Sequence, residues 1–248
     1  MLEKLEGKIV LVTGASRGIG EATIVSLREQ GAVPIPHASS QSDASMAVSE
    51  KTGLEFLFED LSQPEAGDRL VDAAIARAGR LDGVVNNAGI FDATPLSGGE
   101  AWASGWARTM AVNVQAPADI CRAAIEHFRA RKSVGQIINI ASRAAHRGDD
   151  IDHAAYAASK GALISMTKTW ARALSGEGIR LYSIAPGWVK TRMAPLEGPE
   201  HEAAVAGIPL GEMAETEELA ALICFLLSDA CPSAVGSTFD VNGASYVR

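Results

Sequence analysis

The sequence predicts a doubly wound α/β fold, in which helices cover both faces of one parallel sheet. The first observation is that short apolar runs alternate with longer amphipathic segments along the whole chain, as in repeated strand–helix–strand units. The second is the start of the chain, where residues 8–13, KIVLVT, lead through a glycine-rich turn into an amphipathic segment that ends at Gly31. In such a fold, ligands bind outside the carboxyl ends of the strands.

The elements follow one another in strict alternation. Each strand is a short apolar run, and each helix is a longer segment with apolar residues at helical spacing. Strands are predicted at residues 8–13, 32–36, 54–59, 82–86, 135–141, 179–184 and 237–241. Helices are predicted at residues 18–30, 43–52, 64–79, 100–131, 153–176 and 214–228. Because no linker or repeat interrupts this order, we expect residues 1–248 to form a single domain. Residues 186–213 carry four of the ten prolines and predict a loop with one short helix.

The glycine-rich turn has the spacing Gly14-x-x-x-Gly18-x-Gly20. Glycines allow the backbone to approach a pyrophosphate closely, and the N-terminus of the following helix offers free N–H groups and the positive end of its dipole. Glycines in this pattern also suit a tight turn with no ligand. The position between a strand and a helix favours the nucleotide-binding interpretation.

A second constellation consists of Ser142, Tyr156 and Lys160. Tyr156 and Lys160 are four residues apart in a predicted helix, so they share one face. A neighbouring ammonium favours phenolate over phenol and lowers the tyrosine pKa from its reference of about 10. The pair therefore indicates a general acid/base for an alcohol or a carbonyl. Taken alone, it also fits a surface lysine beside a half-buried aromatic ring.

The composition excludes several classes of protein. The chain has 47% hydrophobic residues, three cysteines and a formal net charge of −8. The acidic balance argues against nucleic acid as a partner, and the longest apolar run is too short to span a bilayer. The cysteines and histidines have no metal-site or disulfide spacing, and no signal-peptide pattern precedes the first strand. We therefore expect a cytoplasmic protein with no metal site and no membrane partner.

Six motifs occur in the order and spacing of the short-chain dehydrogenase/reductase family, which the chain resembles from residue 6 to its C-terminus. They are the turn from Thr13 to Gly20, the run Asn86-Asn87-Ala88-Gly89, Asn113, Ser142, Tyr156-x-x-x-Lys160 and Pro186-Gly187. The resemblance implies one Rossmann-type domain, a nicotinamide cofactor, and hydride transfer between a secondary alcohol and a carbonyl. It also implies that residues 186–213 form a lid over the substrate.

The resemblance assigns catalytic roles to four residues. Tyr156 is expected to exchange a proton with the substrate oxygen, and Ser142 to donate a hydrogen bond to that oxygen. Lys160 is expected to lower the pKa of Tyr156 and to bind the nicotinamide ribose. Asn113 matches the asparagine that holds a relay water, although an asparagine at a helix bend is an equally good interpretation. Ser142 is followed by Arg143, where the family commonly has a second small residue.

The resemblance also assigns contacts with the cofactor. Besides Tyr156 and Lys160, the expected contacts are Gly14, Ser16, Arg17, Gly18, Ile19, Gly20, Ser39, Asp60, Leu61, Asn86, Ala88, Gly89, Pro186, Gly187, Val189 and Thr191. Asp60 and Leu61 match the pair that meets the adenine, although Asp60 alone also suits a helix N-cap. Asn87 is expected to tie neighbouring strands together instead.

The residues after the second strand bear on the choice between NAD and NADP. Enzymes that use NAD place a carboxylate there to bind the ribose hydroxyls, whereas this chain has Ala38 at that position. Arg17, Ser39 and Ser40 offer donors to a 2′-phosphate, with help from His37. We therefore predict NADP(H) as the favoured cofactor and keep NAD(H) open.

The predicted substrate is a small secondary alcohol or ketone. The alternative is a 3-oxoacyl-[acyl-carrier-protein] reductase, but an acidic carrier calls for a basic rim. Glu177 stands where carrier-using relatives tend to have arginine, while Arg129, Arg131 and Lys132 keep part of a basic patch. Two further alternatives are a lyase or epimerase on the same fold and a non-catalytic nucleotide sensor. His146 and His153, between Ser142 and Tyr156, are candidates for lining the substrate pocket.

Two predicted helices are too apolar for solvent on both sides. The helix at residues 153–176 includes Trp170, and the helix at 100–131 includes Trp102, Trp106 and Met110. Because family members pair these helices across two-fold axes, we predict a homotetramer, with a dimer as the second choice.

Overall fold

A computed structural model describes residues 5–248 and has one parallel sheet at its centre. Within these residues the sheet has seven strands, in the order β3-β2-β1-β4-β5-β6-β7. The strands are β1 (Ile9–Val12), β2 (Val33–Ala38), β3 (Leu57–Phe58), β4 (Gly83–Asn86), β5 (Gly135–Ile140), β6 (Ile179–Pro186) and β7 (Thr238–Val241). Every neighbouring pair is parallel. The order reverses between β1 and β4, which creates the crevice where doubly wound folds bind ligands.

Helices cover both faces of this sheet. They are α1 (Gly18–Glu29), α2 (Asp43–Thr52), α3 (Ala66–Ala78), α4 (Gly99–Met110), α5 (Ala116–Arg131), α6 (Ala144–Arg147), α7 (Ala154–Leu174), α8 (Gly198–Ala206) and α9 (Thr216–Leu227). Consecutive residues of β1 enter opposite cores, because side chains alternate between the two faces of a strand. Val10 and Val12 pack in the core beneath α1 and α9, whereas Ile9 and Leu11 pack in the core beneath α3 and α5. The predicted doubly wound fold is therefore confirmed.

The predicted helix at residues 100–131 is wrong as one continuous element. It is two helices, α4 and α5, joined by a π-helical turn at Ala111–Gln115. Pro117 lies in the first turn of α5 and has no N–H to continue the regular hydrogen-bond ladder of the preceding helix. The turn also carries Asn113, whose side chain is fixed by the distant residue Ile90. The break therefore sets the direction of a candidate site residue.

Smaller differences concern short elements. The third strand is only Leu57–Phe58, because this edge strand pairs with β2 alone. The short helix expected within residues 186–213 is α8. The four-residue helix α6 lies within the segment between Ser142 and Tyr156 and was not predicted. None of the helices described between residues 5 and 248 combines the length and apolar character needed to cross a bilayer.

Candidate active site

Four turns meet at the carboxyl edge of the sheet, and hydrogen bonds connect them. The side-chain amide of Asn87, after β4, donates to the carbonyl oxygens of Thr13 (2.9 Å) and Gly14 (3.0 Å), after β1. The backbone N–H of Arg143, after β5, donates to the carbonyl oxygen of Pro186, at the end of β6, at 2.9 Å. The parallel strands therefore bring the predicted motifs to one edge. Asn87 connects neighbouring strands, the role predicted for it.

The glycine turn is too tightly packed for side chains. Gly14 has a φ of +64°, and a Cβ there would lie 2.9 Å from the Cα of Ala88. A Cβ on Gly20 would lie 2.3 Å from the carbonyl oxygen of Gly14. Arg17 is the N-cap residue of α1, and its side chain accepts no hydrogen bond from the first N–H groups of that helix. A close-packed glycine turn with free helical N–H groups fits the pyrophosphate of a dinucleotide.

Lys160 lies deep in the site, with only 4% of its surface exposed. Its Nζ donates a hydrogen bond to the carbonyl oxygen of Ile140 at 2.8 Å, at the end of β5. The same Nζ lies 5.7 Å from the centre of the Tyr156 ring. A Cβ on Gly89 would come within 3.3 Å of this Nζ, so a glycine there preserves the space around the ammonium.

Burial shifts the pKa values of this pair in opposite directions. Burial raises the pKa of Tyr156 to about 12, the hydrogen bond with Ser142 opposes that rise, and the charge of Asp149 adds to it. Burial lowers the pKa of Lys160 to about 8. The expectation that Lys160 lowers the pKa of Tyr156 does not describe this state, in which desolvation dominates. Tyr156 is therefore a neutral phenol near pH 7, the form that donates a proton to a carbonyl.

Asn113 is fully buried in the π-helical turn beside Lys160. Its Oδ1 accepts from the backbone N–H of Ile90 (2.9 Å), and its Nδ2 donates to Ile90 O (3.0 Å) and to Ser159 Oγ (3.1 Å). A Cβ on Gly89 would touch both Asn113 Oδ1 and Lys160 Nζ at 3.3 Å, so the two side chains face the same small space. The helix bend and the proximity to Lys160 occur together, so the two interpretations of Asn113 are compatible.

Comparison with known proteins agrees with this geometry. Residues 14–244 match the family model described as enoyl-(acyl carrier protein) reductase. The 3-oxoacyl-[acyl-carrier-protein] reductase of Thermotoga maritima is 32% identical over 98% of this chain and 100% of its own length. The L-xylulose reductase of Homo sapiens is 34% identical, with 98% of each chain covered. A solved short-chain dehydrogenase from Burkholderia cenocepacia in complex with NADP has a TM-score of 0.88 and 32% identity, over 98% of this chain and 99% of its own. The chain belongs to the short-chain dehydrogenase/reductase family.

Several contacts expected in a short-chain dehydrogenase/reductase have buried side chains here. Asn86 is 2% exposed, and its Nδ2 donates to Asn139 Oδ1 at 2.8 Å, so only its backbone can face a cofactor. Leu61 is buried in the core between the sheet, α3 and α5. His37 is also buried; its Nδ1 accepts from Gly14 N–H, and its Nε2 bonds Glu59 O. His37 is therefore not available to assist in binding a 2′-phosphate.

The remaining expected contacts lie on the open side of the edge. Ser16, Gly18 and Ile19 are half-buried, and Arg17, Ser39 and Asp60 are exposed. Asp60 does not cap a helix; its carboxylate accepts from Ser62 and Gln63, and the bonds from Ser62 lower its pKa most.

The methyl group of Thr191 would lie 3.1 Å from a Cβ on Gly18, so the segment after β6 reaches the glycine turn. Val189 is buried and bridges to Ala214. Gly187 packs against Asn242.

The structure adds Phe91, which the sequence did not single out, and packs it against His153, a predicted candidate for the substrate pocket. The Phe91 ring stands edge-on to Tyr156 at 4.7 Å and stacks on the ring of His153 at 3.8 Å. His153 in turn contacts Asp150 Oδ1 through Nδ1 at 2.6 Å. His153 precedes Tyr156 by one helical turn, and this spacing was the available sequence signal. His146 stacks on Tyr246 near the C-terminus and has no ring contact with Tyr156.

Proposed function

We propose that the protein is an NAD(P)-dependent oxidoreductase that transfers a hydride between a nicotinamide cofactor and a small secondary alcohol or ketone. The observation that carries the proposal is the half-buried Tyr156, whose ring centre lies 5.7 Å from the buried Lys160 ammonium, with Ser142 just after the neighbouring strand β5. This group lies at the same sheet edge as a glycine turn that fits a pyrophosphate. Family membership supports the same reaction class.

Each catalytic side chain has a distinct task in this proposal. The bound nicotinamide supplies or accepts the hydride. Tyr156 donates its proton to the carbonyl oxygen during reduction, and Ser142 hydrogen-bonds the same oxygen as its charge develops. Lys160 binds the ribose and returns a proton to Tyr156 through water held beside Asn113. Water-mediated transfer is supported by the common space that Asn113 and Lys160 face.

We favour NADP(H) over NAD(H). Ala38 offers no carboxylate to repel a 2′-phosphate, and Arg17, Ser39 and Ser40 are exposed beside it. The NADP in the solved Burkholderia relative supports the same choice. The buried His37 ring holds the glycine turn in place by accepting a hydrogen bond from Gly14 N–H, and it does not contact the phosphate.

A small substrate is favoured over an acyl-carrier thioester by the charges near the predicted carrier patch. Arg129 Nε donates to Glu177 Oε2 and Arg129 Nη2 donates to Glu177 Oε1, both at 2.7 Å. Arg131 donates to Leu81 O and Asp82. Two of the three basic residues are thus engaged within the chain, which leaves a weak patch for an acidic carrier. The similarity to carrier reductases keeps that activity as the second candidate.

The first test is a turnover screen. We expect small ketones to be reduced with NADPH, with kcat/KM at least about tenfold higher than with NADH, because a single lost phosphate contact costs on the order of 1.4 kcal/mol or more. Loss of nicotinamide absorbance measures both. Net coenzyme turnover separates an oxidoreductase from a lyase, an epimerase or a nucleotide sensor. A clear NADH preference would contradict the cofactor assignment, and much faster turnover of a 3-oxoacyl-carrier thioester would favour the second candidate.

We propose that residues 186–213 form a substrate lid on a single domain. Support comes from α8, in which no residue described is buried, and from Met193 and Leu196, which are 56% and 50% exposed. Val189, Ile208 and Met213 are buried near the ends of the segment, but residues 190–207 include no buried residue. A stretch with so little burial opens at low free-energy cost. The buried free thiols of Cys121 and Cys224 support the further proposal of a reducing, cytoplasmic location.

We also propose a homotetramer, with a dimer as the second choice. The rings of Trp102 and Trp106 on α4 lie 5.5 Å apart, tilted by 50°, and are only half-buried. Strand β7 ends the described sheet with an open edge. Partners that cover such surfaces remove exposed apolar area and an unpaired strand edge. We expect light scattering at micromolar concentration to give about four times the mass of one chain. A monomer would contradict both assemblies.

A further inference from the structure

Arg143 is a buried cation beside the candidate catalytic serine. Its surface is 8% exposed, and it stands where the family commonly has a small residue. One guanidinium nitrogen, Nη1, donates to Ser245 Oγ, and the guanidinium lies 5.7 Å from the centre of the Trp188 ring. Among residues 5–248 it forms no ion pair with an aspartate or glutamate.

This situation differs from that of other arginines in the chain. Arg122, Arg129 and Arg180 each contact a carboxylate, although each is more exposed than Arg143. A buried charge that no carboxylate contacts is unfavourable. Burial lowers the pKa of Arg143, the charge of Arg147 adds to this effect, and the more distant Asp149 only opposes it. Such a group persists where a ligand supplies the missing charge during function.

Arg143 lies at the carboxyl edge of the sheet, directly after Ser142, and contacts the segment that follows β6. Its backbone N–H bonds Pro186 O, and its side chain lies between Trp188 and the C-terminal turn that contains Ser245. The preceding residue is the candidate catalytic Ser142. A ligand that reaches Ser142 therefore comes close to Arg143.

The unused edge of the guanidinium fits a carboxylate. Because Nη1 is bonded to Ser245, the edge formed by Nε and Nη2 has no partner among the described residues. Arg129 uses this same Nε–Nη2 edge to hold both oxygens of Glu177 at 2.7 Å. One guanidinium neutralises one negative charge, which matches a carboxylate better than a doubly charged phosphate.

We propose that Arg143 binds a carboxylate of the substrate, so that the protein interconverts an oxo acid and a hydroxy acid. The proposal rests on the proposed oxidoreductase function and narrows its substrate class. Arg143 is then a specificity-determining residue. It adds binding energy without taking part in proton transfer.

The test compares charged and neutral forms of the same ketone. Acetoacetate and levulinate, which separate the ketone and carboxylate by different lengths, are each assayed beside their methyl esters. We expect kcat/KM for at least one acid to exceed that of its ester by on the order of 10²-fold, from a charge-assisted bidentate contact. Arg143→Gln should remove this preference mainly through KM, with the ester unaffected. Arg143→Lys, which keeps the charge but not the fork, should be intermediate.

Arg147 provides the matched control, because it is an exposed arginine on the same short helix, α6. Arg147→Gln should keep the preference for acids. Equal turnover of acid and ester by the wild type would overturn the carboxylate proposal while leaving the oxidoreductase function intact. Faster reduction of dihydroxyacetone phosphate than of either acid would also overturn it.

A binding measurement makes the proposal independent of turnover. Millimolar levulinate should raise the Tm of the NADP⁺-loaded wild type, and it should leave that of Arg143→Gln unchanged. Without levulinate, Arg143→Gln should have a Tm equal to or above that of the wild type, because a buried charge is removed. A Tm several degrees lower would assign Arg143 a structural role and overturn the proposal, as would equal levulinate shifts in both proteins.

Discussion

We expect Tyr156→Phe to lower kcat for ketone reduction by about 10²–10⁴-fold, the usual contribution of a positioned general acid. The substitution keeps the ring and its edge-on contact with Phe91, and it removes the hydroxyl proposed to give up the proton. Because the phenol contributes little to holding the cofactor, NADP⁺ affinity should change less than threefold. Initial rates at saturating NADPH and titration calorimetry with NADP⁺ measure the two quantities.

Tyr182→Phe is the matched control for this substitution. Tyr182 is a buried tyrosine on β6, 1% exposed, and it packs in the core beneath α1 and α9. Removing the Tyr182 hydroxyl should change kcat by less than about twofold. If Tyr156→Phe retained turnover comparable to that of Tyr182→Phe, proton donation by Tyr156 would be refuted.

The fold was predictable because its central strands are short, apolar and buried on both faces. All four residues of β1 are buried, and the glycines that follow mark where the helix begins. Parallel strands flanked by helices produce this signal directly in the sequence. The break between α4 and α5 gave a weaker signal. Pro117 was its local indication, but Asn113 is fixed by residues 23 and 46 positions away, contacts that no local pattern encodes.

The motifs predicted which residues meet, but the electrostatics of the site depends on burial. The four-residue spacing placed Tyr156 and Lys160 together and suggested that the ammonium lowers the pKa of the phenol. In the folded chain the Lys160 Nζ is bonded to Ile140 O, and desolvation outweighs the attraction between the two groups. No sequence pattern assigned a role to Phe91 or supplied a reason for Arg143. The role of Phe91 depends on its contact with His153, and that of Arg143 on its contacts with Trp188 and Ser245, which are distant in the chain.

Lys160→Met should abolish most activity and change how stability depends on pH. We expect kcat/KM to fall by at least about 10²-fold and NADP⁺ binding to weaken about tenfold or more, because a charged hydrogen-bond donor to the ribose is lost. Burial lowers the pKa of Lys160 from 10.5 to about 8. Between these two values the unfolded chain holds a proton that the folded chain has released, so wild-type stability rises with pH across this window.

The rise is expected to be on the order of 1–3 kcal/mol, and Lys160→Met should remove it because methionine does not titrate. Urea unfolding of the cofactor-free protein at several pH values from about 7.5 to 10 measures the slope. Lys168→Met is the control, because Lys168 is an exposed lysine on the same helix, α7, and its loss should leave the slope as in the wild type. Parallel curves for wild type and Lys160→Met would show that the ammonium remains protonated throughout. In that case Lys160 would act as a permanent charge beside Tyr156. The inference that the buried ammonium releases its proton in this pH range would be wrong.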